Sequence, residues 1–241
     1  MKRVALWIGI FCISALALPF NSEAVQEKAG KGKKRPKNPA MVEIKDNPAL
    51  PRVLLIGDSI SIGYTVPVRE MLDGKANVHR ALTNCGPTSK GVKELENWLG
   101  DQSWDVIHFN FGLHDLKYMG PNGENLVEPD EGKQQVSIED YEANLRSIVK
   151  RLKETKATLI WRNTTPVPPG AKGRVVGDSE KYNKAAQRVM KENGIAIQDM
   201  YGFVHPQMDK IMLKANVHFT PAGSRELAKT VVEAISPALK P

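Results

Sequence analysis

Cysteine is nearly absent from this 241-residue chain, which carries only Cys12 and Cys85. Cys12 lies in an N-terminal segment that reads as removable. Cys85 is then alone and cannot form an internal disulfide, so the fold is not stapled by oxidation. A lone cysteine of this kind is expected to pack as a small buried hydrophobe. A second long apolar run is also missing. After Val4–Phe20 no stretch approaches the roughly 20 residues needed to cross a bilayer. There is no internal repeat, which excludes solenoids and arrays. Gly86 and Gly91 have phosphate-loop spacing, but Val92 stands where the essential lysine belongs, which excludes that motif. His108, His114, Asp115 and His218 show no metal-ligand spacing. Neither a metal nor an organic cofactor is therefore expected.

What is present begins with the grammar of export. Lys2 and Arg3 precede the uncharged run Val4–Phe20, and Ser22 and Ala24 supply small residues for a cleavage site. Residues 1–24 read as a signal peptide, and the mature protein as secreted or periplasmic. An uncleaved anchor is the alternative, against which the run is short and carries Pro19; no stable membrane insertion is expected after removal. Residues 25–46 read as a disordered basic linker. Within it, Lys28, Lys31, Lys33, Lys34, Arg35 and Lys37 against Glu27 give residues 25–40 +5 of the formal net charge of +7. The basic pI therefore describes a tail and not a folded surface, and no nucleic-acid partner is implied.

Residues 47–241 read as one domain. Short β-branched runs alternate with amphipathic helical patterns, the mark of an α/β domain with a mainly parallel sheet. Strands are expected at Val53–Ile56, Asn77–Ala81, Asp105–Phe109, Ala157–Arg162 and Ile195–Gln198. Ser137 and Asp140 form a capping-box start, after which Tyr141, Leu145, Ile148, Val149 and Leu152 share one face. Tyr182, Ala185, Ala186, Val189 and Met190 make a second stripe, stopped by Gly194. Thr220 and Pro221 open a last helix. The expected architecture is a three-layer α/β/α sandwich whose five strands run in the flavodoxin-like order 2-1-3-4-5. Two stretches, Met119–Val136 and Thr164–Gly177, fit no element. They follow strands three and four at the carboxyl edge where such sheets bind ligands, so they are expected to form the substrate rim.

Four loops at that edge carry chemistry. Strand one stops abruptly at Gly57–Asp58–Ser59, a turn that can present the Ser59 hydroxyl at the rim. Cys85–Gly86–Pro87 follows strand two, where a glycine lets the backbone approach a ligand. Gly112–Leu113–His114–Asp115 follows strand three and, in this strand order, should emerge beside Ser59. His218 precedes the last helix, placed to take a serine proton.

In their order and spacing these four loops resemble the SGNH/GDSL hydrolase superfamily over most of residues 51–241. The resemblance implies Ser59 as nucleophile, His218 as base, and an oxyanion hole made by the N–H groups of Ser59 and Gly86 with His114. Asp58 and Asp115 are candidate supporting carboxylates. Two departures stand out. His114 replaces the third block's asparagine, though an imidazole N–H can still donate. Ala215 replaces the aspartate that normally lies three residues before the histidine, so the residue that orients His218 is missing from its usual place. A Ser–His dyad is the working mechanism. The implied function is an exported serine esterase acting on small O-acyl esters, O-acetyl above all, on carbohydrate. The alternative is a catalytically impaired member serving as a carbohydrate- or envelope-binding module.

Overall fold

A computed structural model describes residues 38–239. The expected signal peptide and the basic part of the linker up to residue 37 lie outside the described residues, as do the last two residues. No helix among the described residues is long and apolar enough to cross a membrane.

The five expected strands form one parallel sheet. They are β1 (Arg52–Ile56), β2 (Asn77–Arg80), β3 (Val106–Phe109), β6 (Thr158–Arg162) and β7 (Ala196–Gln198), in the order β2-β1-β3-β6-β7. Counting these strands alone, that is 2-1-3-4-5. β1 and β3 are buried almost throughout because helices cover both faces, as a parallel sheet requires. Their register places Leu55 beside His108 and Ile56 beside Phe109. The loops holding Ser59 and His114 thus leave the sheet side by side. β4 (Tyr118–Met119) and β5 (Lys133–Gln134) form a separate antiparallel ribbon inside the first unassigned stretch.

One helical layer contains α1 (Ser59–Met71) against α7 (Pro221–Ile235); the other contains α2 (Thr88–Leu99), α3 (Ile138–Glu154) and α4 (Asp178–Glu192). Two short helices, α5 (Met200–Val204) and α6 (Met208–Ile211), lead toward the last loop. The caps act as the sequence suggests. Ser137 Oγ accepts from Asp140 N at 3.1 Å, and Thr220 Oγ1 accepts from Gly223 N at 2.9 Å. Gly194 lies just beyond α4 with φ +66°.

Helix α1 is not evident from periodicity, and its composition explains why; α2 does carry an amphipathic pattern in Val92, Leu95, Trp98 and Leu99. Pro67 lies inside α1, removing one backbone donor, and the buried face of that helix includes Ser61 and Thr65. Gly91 lies on the buried face of α2, where a methyl group would come within 2.8 Å of both Phe111 and Ile148. Close approach at Gly91 adds to the burial of Leu95 and Leu99 on the same helix.

The end of the expected linker departs from expectation. Residues 38–46 are held against the domain by polar anchors. Arg69 donates to Pro39 O at 3.0 Å and to Val42 O at 3.2 Å. Asp46 bridges Arg52 and His79, and Ala40 is buried. Apolar composition misses such a strap because charged hydrogen bonds secure it. Arg69→Ala should therefore lower unfolding free energy by about 1.5–3 kcal/mol, the range for hydrogen bonds to a charged group. Chemical denaturation measures this, and faster amide exchange at Met41 and Val42 should accompany it.

Candidate active site

The site forms at the carboxyl edge of β1 and β3, closed from one side by the loop before α7. Ser59 is the first residue of α1. Asp58 caps that helix, its Oδ1 accepting from Ile60 N at 3.0 Å. Gly57 permits the sharp entry, since a β-carbon there would sit 2.8 Å from that of Ser61. As a first-turn residue, Ser59 presents an N–H that has no intrahelical carbonyl to serve.

His218 comes from a tight reversal between α6 and α7. Leu213 N donates to His218 O at 2.9 Å, Asn216 N to Leu213 O at 3.2 Å, and Thr220 N to Ile211 O at 2.9 Å. Ala215 holds a left-handed φ of +52° at the tip. This reversal carries the imidazole to Ser59: Oγ and Nε2 are 2.8 Å apart. The other ring nitrogen, Nδ1, lies 2.7 Å from Asn216 Oδ1. Neither Asp58 nor Asp115 is hydrogen-bonded to the ring. His218 is exposed, so the pair lies open to solvent.

The two remaining loops complete the surroundings. Cys85 N donates to Gly57 O at 3.3 Å, fastening the second loop to the first. Gly86 has φ +64°, and its N–H donates to Asn84 Oδ1 at 3.0 Å. That amide is engaged within its own loop and not free, as an oxyanion donor would be. The Cys85 thiol is buried and pushed up to about 11 by that burial, which keeps it protonated and unreactive.

Residues 55–226 match the GDSL-like Lipase/Acylhydrolase family. The chain belongs to that family.

Membership makes the protein an ester-hydrolysing enzyme by family. No curated protein matches its sequence. Among solved structures, the lipase/acylhydrolase from Enterococcus faecalis is 21% identical with a TM-score of 0.65, covering 79% of this chain and 98% of its own. The acetyl xylan esterase AlAXEase is 14% identical with a TM-score of 0.62, over 76% of this chain and 99% of its own. The acetylxylan esterase Axe2 from Geobacillus stearothermophilus is 17% identical with a TM-score of 0.59, over 77% and 94%. At these identities the likeness is one of fold.

Within this GDSL-family fold, His114 is half-buried and neutral. Burial pushes its imidazole down to about 4, and the nearby charges of Lys117 and Arg174 add to the effect while Asp58 opposes it. Lys117 Nζ lies 3.5 Å from His114 Nδ1. An ammonium can only donate, so the ring's own proton belongs on Nε2. Arg174, from the second unassigned stretch, donates to Leu113 O through Nε at 3.2 Å and Nη2 at 3.1 Å. The expected rim loops thus buttress the third block. A cavity of about 470 Å³ lies beside the histidine loop, lined by Pro168, Pro169, Met208, Met212, Leu213 and Ala215 among others.

Asp115 supports the site through α2. Its Oδ1 accepts from Thr88 N at 2.8 Å and from Thr88 Oγ1 at 2.6 Å, capping a helix whose own N-cap is Pro87. Burial lifts this carboxyl to about 7 against those donors. An exposed aspartate ionises near pH ~4. Between that point and about 7 the native state keeps a proton that the unfolded chain has released. Native stability from this group is therefore greatest at the acid end of the window and falls as pH rises through it. Asp115→Asn keeps an acceptor for Thr88 and removes the titration. Urea denaturation across that window should give a flatter profile for the variant, and an unchanged slope would exclude the assignment.

Proposed function

We propose that the protein is an exported serine esterase that removes small O-acyl groups, O-acetyl above all, from carbohydrate. The observation that carries this reading is the 2.8 Å contact between Ser59 Oγ and His218 Nε2, a nucleophile and base within proton-transfer reach. Two structural neighbours described as acetyl xylan esterases support the substrate class by analogy, and the N-terminal sequence supports export. The exposed dyad suits an ester carried on a bulky alcohol.

In the proposed reaction His218 Nε2 takes the Ser59 proton as Oγ bonds to the ester carbonyl carbon. The Ser59 N–H and the His114 Nε2–H stabilise the oxyanion. Gly86 joins them only when Asn84 releases its amide. Collapse of the intermediate breaks the bond to the alcohol oxygen, which receives the proton from His218. Water, deprotonated by the same ring, then cleaves the acyl-enzyme and restores the serine. The alternative of a binding module that has lost catalysis is disfavoured, since such a protein has no use for a hydroxyl and an imidazole kept in contact.

A fluorophosphonate probe and a short-chain nitrophenyl ester test the nucleophile. Labelling and hydrolysis should vanish in Ser59→Ala and persist in Ser61→Ala; failure of the folded wild type to label would favour the binding module. Acetate release from acetylated xylo-oligosaccharide tests the substrate class. His114→Ala should lower kcat by about 10²-fold or more, as loss of an oxyanion donor does elsewhere, with little change in KM. An unchanged kcat would remove His114 from the mechanism.

A further inference from the structure

We propose that Asn216 is the positioning residue of the Ser59–His218 pair, setting the histidine's tautomer in place of the missing carboxylate. The inference rests on the esterase reading for its catalytic consequence, although its structural part stands by itself.

Two contacts made by one atom carry the argument. Asn216 Oδ1 lies 2.7 Å from His218 Nδ1 and also accepts from the His218 backbone N–H at 3.0 Å. The two ends of an asparagine amide are hard to distinguish by shape, and an inverted amide would present its NH₂ to the ring. Here the backbone contact decides the matter. A peptide N–H can only donate, so the atom facing it must be the amide oxygen. That same oxygen faces Nδ1, so Nδ1 must carry the proton. Nε2 is then left with a lone pair, and it is Nε2 that lies 2.8 Å from Ser59 Oγ.

The contrast with an inverted amide shows what is at stake. An asparagine presenting its NH₂ would draw the lone pair to Nδ1 and leave a proton on Nε2, unable to accept from serine. Such an exchange costs a related triad about 10⁴-fold in turnover. The local backbone secures the working orientation. Ala215 at φ +52° turns the chain, and the Asn216 N–H is tied to Leu213 O at 3.2 Å. Asn216 can then fold its side chain back over the next residue but one. The orienting role has moved one position along the chain, from residue 215 to residue 216, and from a carboxylate to an amide.

Nitrogen NMR of His218, with the ring neutral, reads the tautomer without any substrate. The expected result is a proton on Nδ1 in wild type and a mixture of tautomers in Asn216→Ala. A wild-type ring protonated on Nε2 overturns the proposal. Kinetically, Asn216→Ala should lower kcat by about 10²- to 10⁴-fold with KM changed only a few-fold. Asn216→Asp, which keeps an acceptor in place, should restore kcat to within about tenfold of wild type. Thermal melting checks that both variants are folded. Folded Asn216→Ala with wild-type kcat, or folded Asn216→Asp as slow as the alanine variant, also overturns the assignment. If Nδ1 carries the proton but Ser59→Ala still hydrolyses ester, the esterase mechanism fails while the positioning role stands.

Discussion

Everything in this site depends on one contact between residues 159 positions apart, the hydroxyl of Ser59 and the imidazole of His218. Neither side chain can find the other through local structure. Ser59 is fixed by a buried strand and by the capped helix that follows it, and His218 by a reversal locked at both ends by backbone hydrogen bonds. The packing of α1 on α7 joins the two frameworks. Burial of Ile60, Tyr64 and Val68 on one helix and of Leu227, Val231 and Ile235 on the other holds the two side chains in register.

The carboxylates around this pair brace its framework. Asp58 and Asp115, the two carboxylates nearest the expected chemistry, each cap a helix and leave the imidazole to an amide. Beneath them, buried Arg162 donates to Asn110 Oδ1 at 2.5 Å, and Asn110 returns a bond to Arg162 O at 2.7 Å. The carboxyl ends of β3 and β6 are thereby laced together just where the sheet opens.

Much of this was legible in the sequence, and the exceptions have physical causes. The five strands show because parallel strands buried on both faces leave dense aliphatic runs. Helices α3, α4 and α7 show because their apolar stripes and end caps agree. α1 hides behind Pro67 and a partly polar buried face, and the start of α2 is unmarked because its N-cap is Pro87 and the capping carboxylate comes from the distant Asp115. Ser59 and His218 stand out because each sits at the end of a well-marked element. The Asn216 contact does not, because a left-handed alanine is invisible in one sequence and a neutral amide does not advertise itself as a partner for histidine. Nor does composition reveal that Asn84 occupies the Gly86 amide, a matter of one side-chain rotamer.

The tie between the two segments that fit no expected element bears on how this edge of the fold can change. Tyr118 N donates to Gly173 O at 2.8 Å, and a β-carbon on Gly173 would strike Leu126 at 2.5 Å. The two segments are thus a single mechanical unit, with Arg174 anchoring it to the loop that bears His114. A change in either one is transmitted to its partner, so paired substitutions there will not combine as independent increments. Revision of this edge of the fold therefore has to be co-ordinated across both segments, which makes it slow to drift.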